Sequence, residues 1–216
     1  MDRETAAAGR QDARSRGRRC IPYRSFVVIG RVDLSYKDIL DRADAFFHEI
    51  QRTRPQHLQC SGCSLCCYGL FEISAADIPM LAEGLAKLHP RRRKMIVRRA
   101  AEIVRSTGHF DIRGCSESSK DEFFNRTGSI ACPNLNDAGQ CMVYEHRPLV
   151  CRTFGLPLRE GGRYIGDICD LNFTSASDAE RFASAWDLEW EDWVDPREQY
   201  TIPEAIVLIA RIRRWA

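Results

Sequence analysis

The chain has 216 residues, of which 44% are hydrophobic, so it can bury one core and does not depend on disulfide bonds to fold. Its 32 Lys and Arg residues nearly balance 30 Asp and Glu residues, and the net charge of +2 excludes a global field for nucleic acid or membranes. No apolar run is long enough for an export signal or a membrane span. We therefore expect a cytoplasmic protein, without a membrane partner, whose ten cysteines stay reduced.

The N-terminal end differs in composition from the rest of the chain. Residues 1–30 are rich in Arg, Ala and Gly and show no periodicity, which indicates a disordered tail. We assign residues 31–216 to a single metal-binding domain. Within it we expect a cysteine-rich core at about 58–170 and C-terminal helices at about 175–216.

The first part of this domain is predicted to be helical. Apolar residues recur at helical spacing from Ser35 to about Thr53, which predicts the first helix. Two more helices are predicted to begin at Ser74 and at Pro90, where proline suits a first helical turn. Residues 107–129 show no clear period and are predicted to form an exposed connection.

The second part is predicted to mix hairpins with helices. Turns are predicted at 136–139 and at Gly161–Gly162, the latter between two alternating apolar runs that indicate a β-hairpin. Aromatic residues recur every four positions within 177–193 and predict a helix, and Thr201 with Glu204 forms a capping box that opens the last one. The predicted fold class is therefore α+β and mainly helical, with helices around an irregular cysteine-rich region with short hairpins.

Four cysteines lie within the eight residues "CSGCSLCC", at Cys60, Cys63, Cys66 and Cys67. Two overlapping C-x2-C spacings let neighbouring sulfurs reach one metal centre. Adjacent residues point their side chains in divergent directions, so Cys66 and Cys67 suit two neighbouring sites, or one ligand and one accessory thiol. Clustered thiols in a reducing compartment indicate metal or redox chemistry.

A second group of cysteines lies in the hairpin-rich stretch: Cys132, Cys141, Cys151 and Cys169. Turns surround each of them, and turns let thiolates converge while backbone N–H groups point at the sulfurs. Cys20 and Cys115 lie in the predicted tail and connection, so we exclude both. A zinc ribbon needs a second C-x2-C, and a radical-SAM cluster needs a cysteine at position 70, which is Leu; both are disfavoured.

The order of these motifs resembles the CxxCxxCC cysteine-cluster family, described as a zinc- or iron-chelating domain. The resemblance covers about residues 58–170 and rests on "CSGCSLCC", "CPNL" and "CMVYEHRPLVCRTF". It implies metal chelation by up to eight thiolates and does not supply a reaction. Cys169 lies in a less distinctive context than the other seven.

Charge and ligand type narrow the centre further. Four thiolates leave a zinc ion or a cubane cluster with a net charge near −2, so we expect Arg147 and Arg152 to compensate it as cofactor-binding residues. The scarcity of histidine and the Cys132-Pro133 pair favour iron, as an iron–sulfur cluster, and zinc is the alternative. His146 is a candidate nitrogen ligand, although a lone loop histidine is more often solvated.

Three functions remain open from the sequence. The first is a metal-chelating protein with a structural, redox or metal-handling role. The second is a metalloenzyme with an open metal position or with Cys67 as a free thiol, and no catalytic residue is assigned. The third is an RNA- or protein-binding module with a structural zinc site, in which the basic run Arg91–Arg99 makes contact; a solvated helix face is the usual explanation of such a run.

Overall fold

The computed structural model describes residues 34–59, 64–108, 112–113, 115–160, 163–164, 169–187 and 198–215. The helices in this part of the chain are α1 (Leu34–Thr53), α2 (Ile78–Lys87), α3 (Pro90–Ser106), α4 (Glu117–Thr127), α5 (Leu149–Thr153), α6 (Asp178–Ser184) and α7 (Ile202–Ile212). The strands are β1 (Glu72–Ser74), β2 (Leu158–Glu160), β3 (Arg163–Tyr164), β4 (Trp186–Asp187) and β5 (Gln199–Thr201). The predicted fold class, α+β and mainly helical, is confirmed.

The main core lies between α2, α3 and α7. The Glu204 carboxylate accepts a hydrogen bond from Thr201 N at 2.8 Å, and the Thr201 hydroxyl accepts one from Glu204 N at 3.4 Å. This confirms the predicted capping box and fixes the start of α7. Ile206 and Ile209 of α7 are then fully buried against Leu85 and its neighbours. Strands β1 and β5 pair antiparallel and lead into this core.

The predicted helix starts in the first part agree with the structure. Helix α1 begins at Leu34 and α3 at Pro90. After Ser74, which caps with Asp77, a 3₁₀ turn at Ala75–Asp77 leads into α2. None of the helices in the described ranges has the length and apolar character needed to cross a membrane.

Helix α1 packs on the segment that carries Cys151. Tyr36 and Leu40 of α1 are buried together with Leu149, the first residue of α5. One buried carboxylate joins these elements, because Asp77 Oδ1 accepts hydrogen bonds from the Tyr36 hydroxyl at 2.7 Å and from Leu149 N at 2.9 Å. The N-terminus of α5 is thereby held between α1 and α2.

The connection predicted at 107–129 is wrong in part, because it contains helix α4. The Ser116 hydroxyl accepts a hydrogen bond from Ser119 N at 3.3 Å and caps the helix. Its sequence is mostly polar, so its apolar periodicity is weak. Tertiary packing stabilises it instead, since Phe123 is buried with Leu70 and Ile112.

The β-hairpin predicted around Gly161–Gly162 is confirmed, since β2 and β3 pair antiparallel with Arg159 opposite Tyr164. The helix predicted over 177–193 ends at Ser184, so the prediction is wrong for the described residues 185–187. Trp186 lies in β4, parallel to β2, and packs against Phe46 with ring centroids 5.5 Å apart. The strand pairing of Trp186 and its contact with Phe46 override the four-residue spacing. Trp190 and Trp193 lie outside the described residues.

Candidate metal centre

The "SLCC" turn lies against the segment before Cys132 through a short ladder. The Cys67 carbonyl accepts a hydrogen bond from Cys132 N at 2.7 Å, and Gly69 N donates to the Ile130 carbonyl at 2.8 Å. An antiparallel bridge between Tyr68 and Ala131 lies between these two bonds. Two cysteine motifs that are far apart in sequence are thus backbone neighbours.

The Cys132–Cys141 loop, residues 132–141, closes on itself like a small hairpin. The Asn136 side-chain oxygen accepts hydrogen bonds from Ala138 N at 3.0 Å and Gln140 N at 2.8 Å, which makes the turn predicted at 136–139. A β-bridge joins Leu135 to Cys141. This turn brings Cys141 back towards Cys132 at the base of the loop.

Helix α5 carries Cys151, and the turn after it positions Cys169. Gly155 has a φ of +77°, and a Cβ there would lie 2.8 Å from the Cys169 Cβ and 2.7 Å from Asn172 Nδ2. Asn172 donates a hydrogen bond to the Gly155 carbonyl at 3.1 Å and accepts one from Gln59 N at 3.0 Å. Cys169 is therefore held beside the residue that precedes the "CSGCSLCC" motif.

These segments surround one cavity of about 760 Å³, which we call the thiol cavity. Six of the eight predicted ligands line it: Cys66, Cys67, Cys132, Cys141, Cys151 and Cys169. Cys60 and Cys63 lie outside the described residues, as does Cys20. Cys115 forms a disulfide, in contrast to the expectation that all thiols stay reduced, and is not among the described residues of the lining.

Backbone amides point at two of the sulfurs. Burial raises the pKa of Cys132 to about 12, and the Asn134 N–H that donates to its sulfur opposes this rise. Burial also raises the pKa of Cys141, opposed by the Val143 N–H in the same way. Both donors lie two residues after the cysteine, an arrangement in which amide hydrogen bonds stabilise a thiolate.

The thiols also act on one another. Burial raises the pKa of Cys151 well above its usual range, and the neighbouring charges of Cys132, Cys141 and Cys66 raise it further. Cys66 and Cys141 likewise contribute to the raised pKa of Cys132. A bound cation would stabilise this group of thiols, because its positive charge offsets the repulsion between their negative charges.

The adjacent thiols of Cys66 and Cys67 interact with each other. A hydrogen bond between the two thiols lowers the pKa of Cys66 and raises the pKa of Cys67. Ser64, with a left-handed φ of 58°, opens the 3₁₀ turn Leu65–Cys67 that carries them. Both residues belong to the lining of the thiol cavity.

The six cysteines line the same cavity, but this alone does not make them ligands of one metal ion. Within the described ranges, no group of three or more His, Cys, Asp or Glu side chains is arranged to hold a metal ion. A thiolate ligand lies about 2.3 Å from zinc. This distance is much shorter than the range over which the thiols influence one another's pKa by their charges. The donor type therefore fits a thiolate-binding metal, while the ligating geometry requires the thiols to close in.

Arg147 and Arg152 both line the thiol cavity, but their guanidinium groups are used differently. Arg152 donates to the carbonyls of Arg147 at 3.0 Å and Glu145 at 2.9 Å and pairs with the Asp44 carboxylate. Arg147 donates to Asp44 at 3.1 Å and lies 3.9 Å from the centroid of the Tyr144 ring. In the described part of the chain, Arg147 Nε is buried without a hydrogen-bond partner.

Arg147 also acts on the thiols. Its positive charge lowers the pKa of Cys141, although burial dominates there, and it contributes to the lowered pKa of Cys66. His146, the candidate nitrogen ligand, is not in the described lining; its Nε2 lies 2.9 Å from Lys87 Nζ.

Sequence reasoning missed three residues that position the centre. Asp44 holds both arginines, and a charge inside the apolar stripe of α1 was the available signal. Arg99 of the basic run donates to the Leu135 carbonyl at 2.9 Å, which no sequence pattern indicates. Gly84 of α2 lies so close to the loop after Cys141 that a Cβ would be 2.6 Å from the His146 Cβ.

A family model covers the cysteine-rich part of the chain. A model of the CxxCxxCC family, described as "Putative zinc- or iron-chelating domain", matches residues 59–170, more than half of the chain. The protein belongs to this family. No curated protein and no solved structure is significantly similar to the chain.

The CxxCxxCC match contains all eight predicted ligands, and its description gives the domain zinc or iron chelation. Parts of the thiol cavity lie beyond the match: Phe47, His48 and Gln51 of α1 and Ile202 of α7. These walls are features of this chain that the family model does not cover.

Proposed function

We propose that this CxxCxxCC protein binds iron, as an iron–sulfur cluster, with zinc as the alternative metal. The observation that carries the proposal is the convergence of six cysteines from four separate segments on the thiol cavity. The described lining contains no Asp or Glu side chain, so hard cations that prefer carboxylate oxygens are disfavoured. Thiolates select iron–sulfur clusters and zinc.

The first centre is built on Cys66, Cys132, Cys141 and Cys151. The charge of Cys66 contributes to the raised pKa of each of the other three thiols, which supports grouping these four. Cys67 differs because the largest cause of its raised pKa is the hydrogen bond with Cys66. Bound there, an iron–sulfur cluster would supply one-electron redox chemistry, and zinc would supply a structural or Lewis-acid centre. Cys67 is then an accessory thiol. Cys169 is a free thiol that lines the same cavity and remains for additional ligation, and Cys60 and Cys63 stay predicted ligands.

The two arginines have distinct parts in this proposal. Arg147 provides the compensating charge, because its guanidinium lowers the pKa of Cys66 and Cys141 and its Nε has no partner in the described residues. Arg152 acts through the backbone, because it donates to two carbonyls of the turn that precedes α5. One of these carbonyls belongs to Arg147, so the bond from Arg152 holds the Arg147 backbone beside the cavity.

The decisive experiment is anaerobic purification followed by elemental analysis and an absorption spectrum. A broad band near roughly 400 nm with stoichiometric iron and sulfide supports the cluster. Colourless protein with stoichiometric zinc replaces the cluster by the alternative. Protein that takes up neither iron nor zinc contradicts both metal assignments. The proposed cytoplasmic location is tested separately by cell fractionation.

Single Cys→Ser variants test the ligand assignment. Cys132→Ser, Cys141→Ser and Cys151→Ser should each lose the metal or lower its affinity strongly. Cys67→Ser should retain it and is therefore the internal control for the other three variants. Full metal loss in Cys67→Ser would make Cys67 a ligand and overturn its accessory role.

A metalloenzyme with a free thiol is the second candidate. Five mutually interacting thiols exceed the four that one centre needs, which is the observation in its favour. The nucleic-acid alternative has less support, because Arg93 and Arg99 of the basic run are used within the molecule. Arg93 donates to the Ala86 carbonyl and lies over the Trp215 ring.

A further inference from the structure

Helices α3 and α7 place two groups of basic residues at the same end of the molecule. Arg93, in the first turn of α3, lies with its Cζ 4.6 Å from the centroid of the Trp215 ring, and Trp215 follows the last turn of α7. At the opposite end of the pair, Thr107 and Thr201 line one small cleft. The helices are therefore antiparallel, and the start of α3 lies beside the end of α7.

We call the surface formed there the basic end. It consists of six exposed cationic side chains: Arg91, Arg92 and Lys94 of α3, and Arg211, Arg213 and Arg214 at the end of α7. In the described part of the chain, none of these six charged groups has an ion-pair partner. The acidic residues of the two helices, Glu102 and Glu204, lie towards the other end of the pair. On α2, Glu83 and Lys87 balance each other in charge.

The basic end differs from the run Arg91–Arg99. Within that run, Arg93 donates to the Ala86 carbonyl and Arg99 to the Leu135 carbonyl, so both serve the fold. The basic end leaves these two arginines out and takes half of its charge from α7. It is therefore a surface that the packing of two helices creates.

Helix stability does not account for the cations of α3. The N-terminus of a helix carries a partial positive charge and favours Asp or Glu in the first turn. The first turn of α3 has no acidic residue and carries consecutive cations from Arg91 to Lys94 instead. Such a conflict between the sequence and local stability is typical of functional sites.

The end of α7 contains a similar conflict. Arg214 N donates to the Arg211 carbonyl at 3.3 Å and Trp215 N donates to the Ala210 carbonyl at 2.9 Å, which is the pattern of a Schellman motif. Glycine usually occupies the position of Arg214, because its φ of 55° is left-handed and strained for a residue with a side chain. A cation therefore stands where glycine would stabilise the turn.

We propose that the basic end binds the phosphate backbone of double-helical nucleic acid, independently of its sequence. Five of the six cations are arginine, whose planar guanidinium binds phosphate oxygens bidentately. The axes of packed helices lie about 8–10 Å apart, so the cations of both helices can reach one duplex. This contact needs no bound metal and is independent of the proposed function.

A single strand suits the basic end less well than a duplex. Proteins bind single strands through exposed aromatic rings on which the bases stack. The aromatic residue at the basic end, Trp215, is partly buried against the main core, and Arg93 lies over its ring. Contacts to phosphate groups alone are therefore expected.

The test is fluorescence anisotropy of the full chain with a short labelled DNA duplex and with an RNA duplex of the same sequence. We expect dissociation constants of about 1–100 µM near physiological salt. The logarithm of the binding constant should fall against the logarithm of the salt concentration with a slope of about −3 to −5, which corresponds to about three to six phosphate contacts. A slope near zero would overturn the inference.

Two double variants divide the basic end between its helices. Arg91→Gln with Arg92→Gln removes two cations of α3, and Arg213→Gln with Arg214→Gln removes two at the end of α7. Each should weaken duplex binding by about tenfold at low salt and reduce the salt slope by about two. Loss in only one of the two variants would contradict a surface shared by both helices.

The matched control removes the same charge elsewhere. Arg52→Gln with Arg126→Gln changes exposed positions on α1 and α4 and should leave the salt slope unchanged. All variants retain the arginine-rich residues 1–30, so their contribution cancels in the comparison. Equal effects of the control and of the two double variants would overturn the inference, because binding would then follow the total charge.

Arg214→Gly separates binding from folding. Glycine relieves the strain at the positive φ, so this variant should unfold at a higher temperature and yet bind the duplex more weakly. Unchanged duplex binding would contradict a contact at Arg214.

Other polyanions identify the class of partner. Phosphatidylserine vesicles and polyglutamate carry negative charge without a double helix. If the double variants lose binding to either of these and not to the duplexes, the partner is a membrane or an acidic protein, and the inference is overturned. Tighter binding of the matching single strand overturns it as well. Binding of the DNA duplex, the RNA duplex or both supports it, and metal-free protein should bind equally well.

Discussion

The Arg99 guanidinium donates a hydrogen bond to the Leu135 carbonyl at 2.9 Å and so ties helix α3 to the Cys132–Cys141 loop. Its Nη2 also lies 3.4 Å from the exposed Asp137 carboxylate in the same loop. Arg99 is about one-third exposed, so the bond to the carbonyl is partly shielded from water. A residue of the basic run therefore supports the metal loop from behind.

Arg99→Ala should destabilise the protein by about 1–2 kcal/mol, because the Leu135 carbonyl loses a charged donor. Chelator competition should also show weaker metal binding, since the loop is less fixed. The neighbouring Arg98→Ala is the matched control; Arg98 lies on the solvent side of α3 and pairs with Glu102 at 3.7 Å, a contact worth about 0–0.5 kcal/mol. Equal effects of the two variants would show that the contact to Leu135 has no special role.

Asp44→Asn should weaken the hold on Arg147 and Arg152 by removing the one carboxylate that pairs with both. The pair is partly exposed, so we expect a loss of about 1–2 kcal/mol in the free energy of unfolding. Asp41→Asn on the same helix removes an exposed pair with Lys37 and should have little effect. Denaturant unfolding of both variants measures the difference, and a similar midpoint for both would contradict the prediction.

Asp77 should make stability fall as pH rises from acid towards neutral. Burial raises the pKa of this carboxyl above its usual 3.8, although Tyr36 and Leu149 donate to it. The folded state therefore holds the proton to higher pH than the unfolded state, and ionisation costs about 1.4 kcal/mol per unit between the two pKa values.

Asp77→Asn resembles the protonated carboxyl and isolates this effect. The wild type should match the variant near pH 3 and lose stability relative to it as pH rises, in denaturant unfolding at several pH values. Asp121→Asn, at an exposed position of α4, controls for the change in net charge. A wild-type advantage that grows with pH would mean that the hydrogen bonds outweigh burial.

The sequence predicted the elements whose signals are local. The capping box at Thr201, the proline at position 90 and the alternation around 161–162 depend on neighbouring residues, and the structure has all three. Helix α4 and strand β4 escaped prediction because Phe123 and Trp186 take their positions from tertiary contacts. Local periodicity carries no information about such partners.

The candidate site also has a part that the sequence predicts and a part that it does not. Thiol ligands could be nominated from sequence because C-x2-C spacing and the family motif are local patterns. Asp44 could not be paired with Arg152, since 108 positions separate them in the chain. The close approach of Gly84 to His146 is equally invisible, because a helical glycine has no distinctive signal until its neighbour is known.

Gly84→Ala should destabilise the loop after Cys141 despite the better helix propensity of alanine. The new Cβ would lie 2.6 Å from the His146 Cβ and 2.9 Å from its Cγ, so the loop must move. Overpacking costs about 1–3 kcal/mol, against a propensity gain of about 1 kcal/mol. Glu83→Ala, exposed on the same helix, should be close to neutral; metal affinity and thermal unfolding of both variants make the comparison.

Gly155→Ala should be more harmful than an ordinary substitution at a positive φ, because it acts on Cys169. Gly155 and Gly108 have φ values of +77° and +80°, so alanine meets the same backbone strain of about 1 kcal/mol at both. A Cβ at Gly108 would have nothing within 4 Å, whereas one at Gly155 would overlap the Cys169 Cβ and Asn172 Nδ2.

The difference between these two glycine variants therefore isolates the packing around Cys169. We expect Gly155→Ala to lose about 1–3 kcal/mol more than Gly108→Ala in denaturant unfolding. Alkylation of Cys169 by iodoacetamide should also become faster in Gly155→Ala only, because the displaced side chain loses its contact with the end of α5. Equal stability losses with unchanged Cys169 reactivity would show that Cys169 is not held by this turn.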